Sequence, residues 1–260
     1  MKSLVLFVIA VIALRAFAVL AWAFFPGSGL FPQLARVSIP LFVAIGLLVL
    51  NQRLLSRDGF PPDALGFCAR RIGWFFAGGI INAGIILLMA GALWLLVPFH
   101  WERGSLTWEK LGWQTAEYFA GNVGEELAFR GYLLLLLTRH FGLTRALFVV
   151  ALLFGLFHLP GLSGWTAVKM VCTTAAWSFL FAYGYLLTGS LWTAVGLHVF
   201  GNAILHHVFG MSGGTSILTP VMHKPWPDDY DPAFCVWMAV SIPIAVGAAL
   251  VGERLRSRAR

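Results

Sequence analysis

"GNVGEELAFRGYL", residues 121–133, sets two adjacent glutamates and an arginine into an apolar run that continues through five consecutive leucines. Charges are expensive at such a place. The cost of Glu125, Glu126 and Arg130 depends on what surrounds them, so the fold has to be read outward from here. The chain is 59% hydrophobic and only 11% charged, whereas a soluble domain carries about 25% charged residues. The apolar residues come in long blocks, and a bilayer crossing needs roughly 20 of them. The blocks predict membrane spans at 3–25, 34–50, 72–97, 113–137, 144–159, 167–187, 191–209 and 233–252. This is an all-α class, a polytopic membrane helix bundle with about eight transmembrane helices. Helices are expected because backbone groups left unpaired in lipid are costly, and the alternating pattern of a membrane barrel is absent.

Positive charge orients the bundle. With the N-terminus inside, the inner side collects Lys2, Arg53, Arg57, Arg70, Arg71, Arg139, Arg145, Arg254, Arg256, Arg258 and Arg260. The outer side holds Arg36, Arg103, Lys110, Lys169 and Lys224. Both termini are therefore expected in the cytoplasm, with 253–260 a basic tail and the acidic, proline-rich "KPWPDDYDP" at 224–232 outside. The net charge of +7 sits in loops and the tail, so it does not indicate nucleic acid. Cys68, Cys172 and Cys235 are scattered without a CxxC, which gives neither a disulfide framework nor a zinc ribbon. Ala21-Trp22-Ala23 resembles a small-residue cleavage site. Arg15 interrupts the preceding apolar run, however, and a first membrane helix is preferred over a cleaved signal. Arg15 itself is expected to snorkel or to pair inside the bundle. The whole chain reads as one integral-membrane domain, 1–260, with a core at about 113–209.

Ionisable residues within spans usually face the protein interior and mark function. Glu126 and Arg130 are spaced i,i+4 and meet on one helix face. Taken alone, that is a structural ion pair. Glu125 lies about 100° around the helix from Glu126, so it can face a cavity unpaired by Arg130. His158 ends the fifth span in "FGLFHLPG", and the seventh span carries His198 and Asn202, again i,i+4. A carboxylate held away from bulk water can take a proton from a bound water, so Glu125 with His158 can activate one water. His198 and Asn202 can stabilise an oxyanion. The same Glu125, His158 and His198 would also make a catalytic shell for a divalent metal such as zinc, and the residues alone leave both open. Plainer readings exist: His158 as an interfacial residue, His198–Asn202 as an interhelical hydrogen-bond pair, and His206 and His207 as interfacial.

In chain order these segments supply Glu-Glu-x-x-x-Arg in "EELAFR", Phe-x-x-x-His in "FGLFH" and His-x-x-x-Asn in "HVFGN". The set resembles the CPBP family of intramembrane proteases, also called the CAAX-protease and bacteriocin-processing family; "FRGYL" and "HLP" resemble it too. The resemblance spans roughly 113–209. It implies an intramembrane endopeptidase in which Glu125 and His158 activate water, His198 and Asn202 form the oxyanion site, and Glu126 and Arg130 support the site. Between the metal-dependent and metal-free descriptions of that family, the glutamate mechanism is preferred. The implied partners are a membrane-embedded or lipid-modified peptide or protein substrate and the lipid bilayer, with no nucleic acid. The expected location is a bacterial inner (plasma) membrane. One alternative is a rhomboid-like serine protease using Ser163 of "GLSG" with His198, which leaves the Glu-Glu-Arg cluster unexplained; "GMSG" at 210–213 matches that motif as well. The other is a non-catalytic membrane protein: a scaffold, a bacteriocin-immunity factor or a proton-coupled transporter.

Overall fold

The computed structural model describes residues 2–27, 29–96, 98–210, 215–222, 238–243 and 246–247. The helices in chain order are α1 (Lys2–Ala23), α2 (Leu30–Arg57), α3 (Gly73–Leu96), α4 (Trp108–Phe129), α5 (Tyr132–Phe141), α6 (Leu143–Phe157), α7 (Gly164–Thr188) and α8 (Leu191–Asn202). A π-helical turn, Ala203–Val208, extends α8. Most of the expected span at 233–252 lies outside the described residues, as do 211–213 of "GMSG", the 224–232 loop and the 253–260 tail.

The bundle is all-α, and it is an integral membrane protein. Among the described residues, four stretches are long and apolar enough to cross a membrane by themselves: α1, α2, Ala69–Leu96 and α7. Their outer faces expose large apolar side chains such as Ile12, Leu20, Phe42, Ile80 and Leu88, as lipid-facing helices do. α6 and α8, at 15 and 12 residues, reach only about 22 and 18 Å at 1.5 Å per residue. α8 is nevertheless buried along almost its whole length, and it is the central strut, packed by α3, α4 and α7. Small residues allow that approach. A side chain at Gly78 would meet the Thr193 carbonyl, and one at Gly196 the Phe75 carbonyl. The buried Asn82 amide of α3 donates to the Leu197 carbonyl and pins the pair.

The expected span at 113–137 is two helices. α4 stops at Phe129, and α5 starts at Tyr132 on a new course. A break at membrane depth must re-satisfy the backbone, and Asn51 of α2 does this. Its amide donates to the Leu127 carbonyl at 3.1 Å, and its Oδ1 accepts from the Tyr132 N–H at 2.5 Å. Any Cβ at position 131 would collide with the Asn51 side chain and the Leu127 carbonyl, so glycine is required there. At the far end of α2, Asp58 accepts from Tyr132 Oη at 2.5 Å, and Arg139 of α5 donates to the Asp58 carbonyl at 2.5 Å.

Two further features lie outside the expected pattern. Phe99–Arg103 (β1) and Leu218–Met222 (β2) pair antiparallel, Phe99 opposite Met222. Trp101 packs edge-on to Phe99 and against Phe209 below the π turn. Arg36, counted above on the outer side, lies in the second turn of α2, a helix that starts four residues earlier than the expected span.

Candidate active site

α4 is buried from Asn122 to Phe129 except at Glu125, which stays partly open. The adjacent glutamates therefore face different surroundings, as their angular separation requires. Glu126 points into the protein and is fully buried with Arg130, 3.2 Å away. Arg130 also donates to Ser178 Oγ at 2.8 Å and to the Ser178 carbonyl at 3.3 Å on α7. Its guanidinium lies 4.2 Å from the ring centre of Phe154 and 5.3 Å from that of Phe181. One cation thus links α4, α6 and α7. A buried pair of this kind holds only when its remaining hydrogen-bonding capacity is met, and Ser178 meets it here for one guanidinium nitrogen.

Glu126 has a second partner. Its Oε1 lies 2.8 Å from His198 Nδ1 on α8. A carboxylate accepts, so Nδ1 carries the proton and Nε2 of His198 faces the other way. The imidazole stacks on Phe181, with ring centres 4.6 Å apart. His158, the C-cap of α6, is oriented by the same device. Its Nδ1 lies 2.8 Å from the Phe154 carbonyl, so Nδ1 donates and Nε2 is turned outward.

Both Nε2 atoms converge on Glu125. Glu125 Oε2 is 3.7 Å from His158 Nε2 and 3.9 Å from His198 Nε2. These distances are too long for direct hydrogen bonds, and Oε2 is buried without a hydrogen-bond partner. All three groups line one cavity of about 380 Å³ together with Asn202. The sequence-based span boundaries put His158 far from the level of Glu125 and His198; the structure brings the three together. Asn202 Nδ2 is 3.4 Å from Asn122 Oδ1, a weak contact at the cavity wall.

Other residues of this neighbourhood escaped the sequence reading. Asn122 was legible in principle, because Tyr118, Asn122 and Glu125 recur at helical spacing and all line the cavity. Ser178 and Asn51 gave no local signal. Arg15 of α1 and the Arg36–Glu117 pair, 2.7 Å apart, line the cavity as well. The guanidinium of Arg15 sits 4.7 Å from the ring centre of Phe157 on α6. His206 and His207 lie in the π turn against Tyr118, and His207 is buried. Ser163 is the N-cap residue of α7 and is not among the cavity-lining residues.

As to metal, among the described residues no group of three or more His, Cys, Asp or Glu side chains is arranged to hold an ion. Glu125, His158 and His198 are the nearest to such a set, with Nδ1 of each histidine already oriented by protein.

No curated protein matches the chain significantly. Residues 107–204, which contain Glu125, Glu126, Arg130, His158, His198 and Asn202, match the family described as Type II CAAX prenyl endopeptidase Rce1-like, and over that segment the chain is similar to this family of proteases.

Proposed function

We propose that this protein hydrolyses a peptide bond in a membrane-embedded or lipid-modified protein or peptide, using a water activated by Glu125. The observation that carries the reading is the buried, unpartnered Glu125 Oε2 set between two imidazole Nε2 atoms in the cavity. Glu125 takes a proton from the water as its oxygen attacks the scissile carbonyl carbon. His158, fixed through its Nδ1, presents Nε2 as the second acceptor that holds this water. The oxyanion formed is met by His198 Nε2 and by the Asn202 amide. The carbon–nitrogen bond then breaks, and the proton taken by Glu125 passes to the leaving amine.

The geometry refines one role. With Nδ1 bonded to Glu126, His198 donates from Nε2 only as an imidazolium. The charges of the cluster allow this, because Glu125 and Glu126 balance Arg130 and one imidazolium. The face of Phe181 also favours a cation. Glu126 and Arg130 are positioning residues: they hold α4 against α7 and fix the tautomer of His198. No metal is required by this scheme. The catalytic core of about 113–209 within a single membrane domain, a bacterial inner membrane location and cytoplasmic termini belong to the same reading. The segment matched at 107–204 supports the core, and the distribution of Lys and Arg supports the cytoplasmic termini.

The test compares membrane proteomes of strains expressing wild type or Glu125→Gln at equal levels, with new protein C-termini mapped by mass spectrometry. The reading predicts fragments that vanish with Glu125→Gln. Identical fragment maps, with a phenotype that only deletion causes, would instead indicate binding or transport.

A further inference from the structure

Two guanidinium groups face the catalytic cavity, and they are not equivalent. Arg36 is neutralised by Glu117 at 2.7 Å and also donates to the Gly27 carbonyl at 2.9 Å. Arg15 has neither: among the described residues it makes no hydrogen bond and no ion pair, and its contact is the face of Phe157. Arg15 is exposed on α1 yet lines the cavity. It also lies deep along its helix. At 1.5 Å per residue it is roughly 20 Å from the Lys2 end and about 12 Å from the Ala23 end. A cation at that depth is costly unless paired or wetted. Phe157, on which it rests, immediately precedes His158.

We infer that Arg15 is a specificity residue that binds a carboxylate of the peptide substrate close to the scissile bond. The inference rests on the proposed hydrolysis for its substrate class. A planar guanidinium with its donors free matches a carboxylate in a two-pronged contact. The Arg36–Glu117 pair beside it closes the same wall without adding net charge, so Arg15 is the guanidinium of this wall that an anionic ligand would meet. Substrates with a carboxylate within a few residues of the cut are therefore preferred. The carboxylate is either the chain terminus or an acidic side chain, and the two are separable by experiment.

The experiment uses full-length Glu125→Gln protein in lipid nanodiscs and a pool of randomised, N-acylated decapeptides. Each sequence is made as the free acid, as the C-terminal amide, and as the amide with one aspartate near the end. Retained peptides are counted by mass spectrometry. The expected result is at least tenfold enrichment of carboxylate-bearing peptides over plain amides. That enrichment disappears in Glu125→Gln/Arg15→Gln and is partly restored in Glu125→Gln/Arg15→Lys, with thermal stability unchanged. Enrichment of the free acids alone assigns the chain terminus; enrichment of the aspartate set alone assigns a side chain. Equal retention of acids and amides, absence of retention, or a preference that survives Arg15→Gln overturns the inference. Cleavage of the same pool by the Glu125 protein is scored separately. Glu125-dependent cleavage without carboxylate preference would overturn this inference and spare the proposed function. Preference without Glu125-dependent cleavage would do the reverse.

Discussion

Replacing Glu126 by Gln removes one charge and should disturb two neighbours. Glu126 and Arg130 are both fully buried, and the same Glu126 oxygen holds His198 Nδ1 at 2.8 Å. Without the carboxylate, Arg130 keeps Ser178 and the faces of Phe154 and Phe181 but loses its counter-charge. Breaking a buried pair on one side costs about 3–5 kcal/mol. At about 2–4 °C per kcal/mol for a chain of this size, the melting temperature should fall by roughly 6–20 °C. Arg130→Met alone should cost a similar amount. The double variant Glu126→Gln/Arg130→Met removes both charges and fills the space with an apolar chain, so it should recover most of the lost stability. It should not recover proteolysis, because the replacement amide can still accept from His198 Nδ1 but no longer supplies the negative charge that an imidazolium at His198 needs. Thermal unfolding of the four proteins in one detergent gives the cycle, and cleavage of one peptide substrate at a temperature where all are folded gives the second readout. A fall of less than about 2 °C for Glu126→Gln would refute the buried-pair account, since it would put the coupling well below the range for such pairs. Full activity in the double variant would refute the link between Glu126 and His198.

Asn51→Leu strands the Tyr132 N–H and the Leu127 carbonyl, at about 1–3 kcal/mol for each group; Asn51→Asp keeps the acceptor for Tyr132 and should cost less, as unfolding curves will report. Gly131→Ala should yield little folded protein, because its Cβ meets Asn51 and the Leu127 carbonyl; normal expression and melting would contradict the described break. Ser163→Ala should cleave at the wild-type rate, since the Ser163 side chain makes no capping bond to α7 and is not a lining residue of the cavity; loss of activity would favour the serine alternative. Chelators applied to purified protein should leave cleavage intact, and metal analysis should find less than one equivalent bound.

The sequence exposed the chemistry better than the course of the chain. Glu125, Glu126, Arg130, His158, His198 and Asn202 stood out because polar groups are rare and costly in apolar spans, and i,i+4 spacing told Glu126 from Glu125 in advance. Glu125 and the two imidazoles around its Oε2 come from three helices, and only their order in the chain hinted at a meeting. The break after α4 was hidden because its cause lies about eighty residues earlier, in Asn51. Apolar content through 113–137 reads as one span, and Gly131 looks unexceptional without the side chain packed against it. The β1–β2 pairing joins Phe99 to Met222, a contact that no local period can announce. The cavity role of Arg15 needed the fold, because its neighbour Phe157 lies on another helix.

The central claim is that Glu125 activates the attacking water. It is tested most directly by turnover of a single quenched-fluorescent peptide substrate by purified protein in liposomes, wild type against Glu125→Gln, with the melting temperature measured on the same samples. The account predicts a fall in kcat of about 10²–10⁴-fold, the usual contribution of a positioned general base, with the melting temperature unchanged within about 2 °C because Glu125 Oε2 has no hydrogen bond to lose. Turnover by Glu125→Gln within threefold of wild type would contradict it.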